Sequence, residues 1–130
     1  MEAAAARASV RPLRSEIWEF DLNPKRGREQ RGVRPCLIVS TNSLNESTFG
    51  TVIVCPITTR KRPSFRWRPG LMPEDLTVID QTWKALPNWV ATDQIVTADA
   101  ATRGLRHLAT VENDEKMRAV ENSLRMLLDL

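Results

Sequence analysis

Two short runs, Cys36-Leu37-Ile38-Val39-Ser40 and Thr51-Val52-Ile53-Val54-Cys55, are apolar at nearly every position. As strands they present apolar side chains on both faces, so they belong in the middle of a sheet and need cover on either side. The segment between them is turn-like. Pairing through a connection centred on Asn45-Glu46 sets residues whose numbers sum to 91 opposite each other, and 36 + 55 = 91 then puts Cys36 opposite Cys55. A disulfide is the minority outcome of that juxtaposition, because cross-strand geometry is awkward and both thiols sit in apolar runs; buried, reduced cysteines are the favoured reading.

Other elements supply the cover. Trp18-Glu19-Phe20-Asp21-Leu22 alternates apolar and polar residues, the period of a strand with one buried face, and Asn23-Pro24 ends it. Residues 77–80, 89–92 and 106–111 read as further strands, and 99–104 as one helical turn. Asn113 caps a helix whose first turn holds Asp114 and Glu115, matching the positive dipole end, while Met117, Val120, Leu124, Leu127 and Leu128 form an apolar stripe. Trp18, Trp83 and Trp89 read as core or interface anchors, and His107 as a partly exposed strand residue. Residues 59–75, rich in Arg and Pro, are too irregular for a regular element and suggest a loop that orders on binding. Several short strands and one terminal helix make a mainly β barrel or half-barrel the natural architecture, since closure hides strand edges. Residues 1–13 carry no apolar period and are expected to form a flexible extension, with a single domain over 14–130.

The composition narrows the chemistry. No stretch approaches the roughly 20 apolar residues of a membrane span, and the start of the chain has no signal-like architecture, so a cytoplasmic protein is expected. With His107 the one histidine and no Cys-x-x-Cys pair, a zinc site would need an unusual carboxylate-rich ligand set and a two-histidine acid and base pair is impossible; no metal or cofactor is expected. The net charge is only +3, but ten of the 19 basic residues fall in two windows: Lys25, Arg26, Arg28, Arg31 and Arg34, then Arg60, Lys61, Arg62, Arg66 and Arg68. Brought to one face, these windows would attract a polyanion; left apart, they are two solvated loops. Phe65 and Trp67 alternate with Arg66 and Arg68, so rings could stack on bases while guanidinium groups follow phosphates, or the rings could fill a core or dimer contact.

The segment from Asn23 to Pro35, with Gly27-Arg28-Glu29-Gln30 and Arg34-Pro35, resembles the loop after the first strand in the MazF/PemK family of toxin endoribonucleases. Matching pieces follow in order: Ser40-Thr41-Asn42, Pro56-Ile57-Thr58-Thr59, Asp93-Gln94-Ile95 and the terminal helix. Val96 departs from the pattern, since the family commonly has a basic residue there. The resemblance covers nearly everything from Arg14 to Leu130. It implies an SH3-like barrel of the CcdB/PemK-like type in a homodimer, a metal-independent endoribonuclease that halts translation, and a cognate MazE-like antitoxin with an acidic, disordered tail.

Carried across, the family's catalytic arginine falls on Arg34, its threonine on Thr58 and its loop glutamate on Glu29. The expected contacts to single-stranded RNA are Arg26, Arg28, Gln30, Asn42, Arg60, Lys61, Arg62, Phe65, Trp67 and Gln94. Cleavage without a metal uses the substrate's 2′-hydroxyl as nucleophile and leaves a 2′,3′-cyclic phosphate and a 5′-hydroxyl. A guanidinium fork suits the phosphorane, and the ionised carboxylate of Glu29 suits the proton better than arginine does, although the family often gives arginine that duty too. A hydroxyl at Thr58 can orient the phosphate. Taken singly, the same residues could form a surface salt bridge or satisfy a strand end. The rivals are a CcdB-like non-enzymatic toxin acting on DNA gyrase and a non-catalytic RNA-binding module.

Overall fold

The computed structural model describes residues 11–23, 27, 32–61 and 67–130. Among the described residues the strands and helices follow in the order β1 (Glu16–Asp21), β2 (Val33–Ile38), α1 (Asn42–Asn45), β3 (Thr51–Thr58), β4 (Gly70–Leu71), β5 (Leu76–Val78), β6 (Asn88–Val90), β7 (Val96–Asp99), α2 (Ala100–Arg103), β8 (Gly104–Val111) and α3 (Asp114–Leu128). Short 3-10 turns occupy Pro73–Asp75 and Thr92–Gln94. The strands run β4-β6-β3-β2-β1-β8-β5 across one sheet, and β7 adds to β3 off that path. All pairings are antiparallel. The two outermost strands, β4 and β5, are joined by residues 72–75 alone, so the sheet must curl until its ends nearly meet. A mostly β, nearly closed barrel with a C-terminal helix results, as the turn-rich pattern predicts.

The apolar runs are indeed central, because β3 has β2 along one edge and both β7 and β6 along the other. One face of the sheet gives the barrel interior: Ile17, Leu37, Cys55, Ile57, Leu71, Val90 and Leu108, closed off by Met117 and Val120 of α3. The other face gathers Trp18, Phe20, Cys36, Ile38, Val52, Val54 and Ala98, with Leu22 packed against them. The alternation at 18–22 therefore reports this second cluster rather than the interior. Trp83 packs on the interior cluster, while Trp18 stacks on His107 with ring centroids 5.3 Å apart.

The register corrects one expectation. Cys36 pairs with Pro56, Leu37 with Cys55 and Ile38 with Val54, so paired numbers sum to 92 rather than 91. The connection contains the helical turn α1 and has the other parity. A one-residue shift reverses every side chain, and the two cysteines belong to opposite faces, Cys36 to the second cluster and Cys55 to the interior. Both are free thiols. Burial raises both pKa values, that of Cys55 to about 12, which leaves them protonated and unreactive at neutral pH.

Other boundaries shift modestly. Strands expected at 77–80 and 89–92 occupy 76–78 and 88–90, and Thr92 opens a 3-10 turn instead. The loop expected over 59–75 contains β4 and a 3-10 turn. The helical stripe divides: Met117 and Val120 are buried and Leu124 packs on the core, but Leu127 and Leu128 are exposed. Asn113 caps α3, its Oδ1 accepting from the Glu115 N–H at 3.0 Å. Its Nδ2 donates to the buried Asp75 at 2.9 Å, which ties the helix start to the link between β4 and β5. Replacing Asn113 by Ala removes the cap and strips Asp75 of a donor, so urea unfolding should show a loss of about 1 to 2 kcal/mol with an unchanged m-value.

Candidate functional site

Arg34 sits at the start of β2, exposed, opposite Phe20 of β1. The ring of Pro35 fixes its own φ and disfavours helical geometry at Arg34, which holds the arginine in extended backbone. Thr58 ends β3, half-buried. The β2–β3 ladder closes at Cys36 and Pro56, and carrying its register two residues further sets position 34 opposite position 58, since 34 + 58 = 92 = 36 + 56. Side chains at such positions share a face. The face is that of the second cluster, because Cys36 belongs to it. On the far side of Thr58 comes Trp89 of β6, its direct cross-strand partner.

The hydroxyl of Thr58 accepts from the Arg60 N–H at 3.1 Å, a turn that leaves the hydroxyl proton for donation elsewhere. Arg60 and Lys61 are exposed at the end of β3, and the Lys61 ammonium stands 6.0 Å from the centroid of the Trp89 ring. Gln94 lies half-buried in the 3-10 turn beside Asp93. Trp67 is half-buried, and its carbonyl accepts from the hydroxyls of Thr92 and Ser123, which fastens the end of the arginine-rich segment to α3. Asn42 is set apart: it lies beyond the other end of β2, where its side chain accepts from the Arg14 N–H at 2.8 Å and from Asn45 at 3.0 Å. At about 3.3 Å per residue, the strand alone separates that end from Arg34 by roughly 15 Å. Glu29, Arg26, Arg28, Gln30, Arg62 and Phe65 fall outside the described residues.

Two features of this region escape a reading of the sequence. Trp89 reads as an anchor until its partner Thr58 is known. Arg68 reads as one more cation of a basic window, yet its guanidinium side chain is only 8 % exposed and is engaged by Asp93 through two hydrogen bonds, 2.7 and 2.9 Å. Burial pushes the Asp93 carboxyl up, but the hydrogen bonds and charge of Arg68 outweigh it and hold the group below the ordinary carboxylate value. This pair clamps the chain entering β4 against the turn carrying Gln94.

Chemically, a planar cation and a hydroxyl on one face can hold two oxygens of one phosphodiester, and an aromatic ring one strand further can meet a base. Among the described residues no three His, Cys, Asp or Glu side chains gather as a metal site requires. The clamp is testable apart from any activity. Asp93→Asn should cost about 1.5 to 3 kcal/mol in urea unfolding at pH 7, because a largely buried guanidinium loses this ion pair. The Asp93 pKa is lowered on folding, so its contribution is complete above the unfolded value of about 4 and fades as pH falls through the folded one; the gap between wild type and variant should narrow below that point.

Comparison with known proteins bears on the whole of this frame. A 49-residue stretch, 35% of this chain and 42% of the other, is 39% identical to Endoribonuclease MazF9 of Mycobacterium tuberculosis, so the match spans less than half of that relative. The crystal structure of MazF from Deinococcus radiodurans superposes with a TM-score of 0.72 at 23% identity, covering 92% of this chain and 98% of that one. A MazE-MazF crystal structure from the same organism gives 0.69 at 23% identity, covering 92% and 96%. These likenesses establish the fold. The family model described as PemK-like, MazF-like toxin of type II toxin-antitoxin system matches residues 13–128, and the chain belongs to that family.

Proposed function

We propose that this chain is the toxin of a type II toxin-antitoxin pair and acts as a metal-independent, sequence-specific endoribonuclease on single-stranded RNA, so halting translation. The observation that carries the reading is the register that sets Arg34 and Thr58 on one face, at the strand ends where the basic segment 60–68 begins. In the reaction, the 2′-oxygen of the substrate attacks the adjacent phosphorus while its proton passes to a base. The bond from phosphorus to the 5′-oxygen breaks, and that oxygen takes up a proton. The products are a 2′,3′-cyclic phosphate and a 5′-hydroxyl.

Arg34 neutralises the charge that builds on the phosphorane oxygens, a role that needs aim more than mobility, and the Pro35 restraint supplies aim. Thr58, its oxygen already fixed by the Arg60 N–H, donates its proton to a non-bridging oxygen and holds the phosphate in line. Glu29 receives the 2′-proton, an assignment that rests on its place in the family motif. The antitoxin of this reading resembles the MazE that accompanies MazF in the Deinococcus radiodurans complex, with an acidic tail that occupies the basic surface and excludes RNA. The toxin works as a homodimer in the cytoplasm. No helix among the described residues is long and apolar enough to cross a membrane.

The test is purified protein with a long single-stranded RNA in excess EDTA. Cleavage should persist, and the new 5′ ends should accept phosphate from a kinase without prior phosphatase treatment, as a hydroxyl does. Arg34→Ala should lower kcat/KM by about 10²- to 10³-fold, with Thr58→Ala at the lower end of that range. RNA left whole, chelator-sensitive cutting, or full activity in both variants would overturn the proposal.

A further inference from the structure

Trp89 occupies a position that the reaction residues do not explain. It pairs with Thr58 on one side and Gly70 on the other, and cross-strand partners carry their side chains on the same face. The ring leans over β4: a Cβ added at Gly70 would stand 3.3 Å from Trp89 Nε1 and 3.6 Å from Cδ1, so the glycine provides the ring's seat. The Lys61 ammonium stands over that ring at 6.0 Å, the geometry in which a cation meets a π face. The other tryptophans are used differently. Trp18 is buried and stacked on His107, Trp83 packs on the barrel interior, and Trp67 is fastened through its carbonyl to α3.

We propose that Trp89 is the stacking platform for the base of a nucleotide flanking the scissile phosphate, with Lys61 turning from the ring to the RNA backbone as the base arrives; this rests on the RNA-cleaving reading above. Three points of the geometry meet here. The ring is one strand away from the threonine that holds the phosphate, a span comparable to the reach from a phosphate across its sugar to the base. A ring half-buried over a glycine keeps its orientation and loses little freedom when a base covers it. The cation above it marks a π face already open to a ligand, and any of the four bases can occupy it, so Trp89 contributes affinity while other groups choose the sequence.

The test begins by mapping the cleavage site in RNA, then synthesises a short substrate in which each flanking base in turn is replaced by an abasic ribose. With wild-type protein, loss of one flanking base should lower kcat/KM about tenfold, mostly through KM. Trp89→Leu should lose about tenfold on the intact substrate and be indifferent, within about twofold, to removal of that same base, the non-additivity of two groups in contact. Trp89→Phe should recover to within about threefold, since a smaller ring still stacks. Additive losses, about 100-fold for the combined change, would show a merely structural residue and overturn the inference. So would equal cleavage of every abasic substrate by the wild-type protein, an outcome that needs no variant to fold. RNA untouched by the wild-type protein overturns the nuclease reading itself and takes this inference with it.

Discussion

The pairing of β2 with β3 in a register summing to 92 is the constraint from which the rest of the molecule follows. It assigns Leu37, Cys55 and Ile57 to the barrel interior and Cys36, Ile38, Val52 and Val54 to the second cluster. Each of these side chains is almost wholly buried, and burying a Val, Leu or Ile is worth about 1.5 to 3 kcal/mol. A slip by one residue would exchange the two sets at once and mismatch both clusters, so packing on two faces locks the strands more firmly than packing on one could. The same alternation, carried two residues past the ladder, gives positions 34 and 58 one face. Fold and candidate site thus rest on one choice of parity.

Closure of the barrel depends on a second, smaller set of contacts. Between β4 and β5 the chain has only residues 72–75, and the buried carboxylate of Asp75 accepts from the Met72 N–H at 2.8 Å and from Asn113 at 2.9 Å. One side chain thereby joins both sheet ends to the start of α3. Near the other end of that helix Ser123 reaches Thr92 and the Trp67 carbonyl, so α3 braces the turn beside the site as well as plugging the interior. Arg14 performs the corresponding task at the opposite rim, donating to Val39 O and pairing with Glu121.

Element identity was legible in the sequence wherever one face of a segment is polar. The alternation at 18–22 and the capped helix after Asn113 both lie where they are read, because period and cap chemistry are local properties. Parity between two strands that are apolar on both faces is not local: nothing in Cys36–Ser40 or Thr51–Cys55 distinguishes inward from outward positions, and the helical turn in their connection changes the count by one. β7, with Val96, Thr97, Ala98 and Asp99, was invisible for a related reason, since small and polar residues on a strand added at β3's edge carry no apolar period. In the site, Arg34 and Thr58 announce themselves through Arg-Pro and Pro-Ile-Thr spacing. Trp89 has no such signal, for its meaning comes entirely from the residue across the strand. Asn42, read as part of the same surface, is held by Arg14 at the other end of β2.

A proline of β2 stands where its ladder with β3 stops. Pro35 brings no N–H to the ladder with β3, and the β2–β3 pairing ends at the Cys36–Pro56 rung, although both strands continue past it. Beyond that rung Arg34 and Thr58 keep the facing that the alternation of their strands gives them, while the carbonyl of Pro56 is taken by the Ala91 N–H at 2.8 Å on the other edge. Past this rung the two strands no longer spend their backbone groups on each other. The restraint that keeps Arg34 extended and the end of the β2–β3 ladder are therefore consequences of the same imino acid, Pro35.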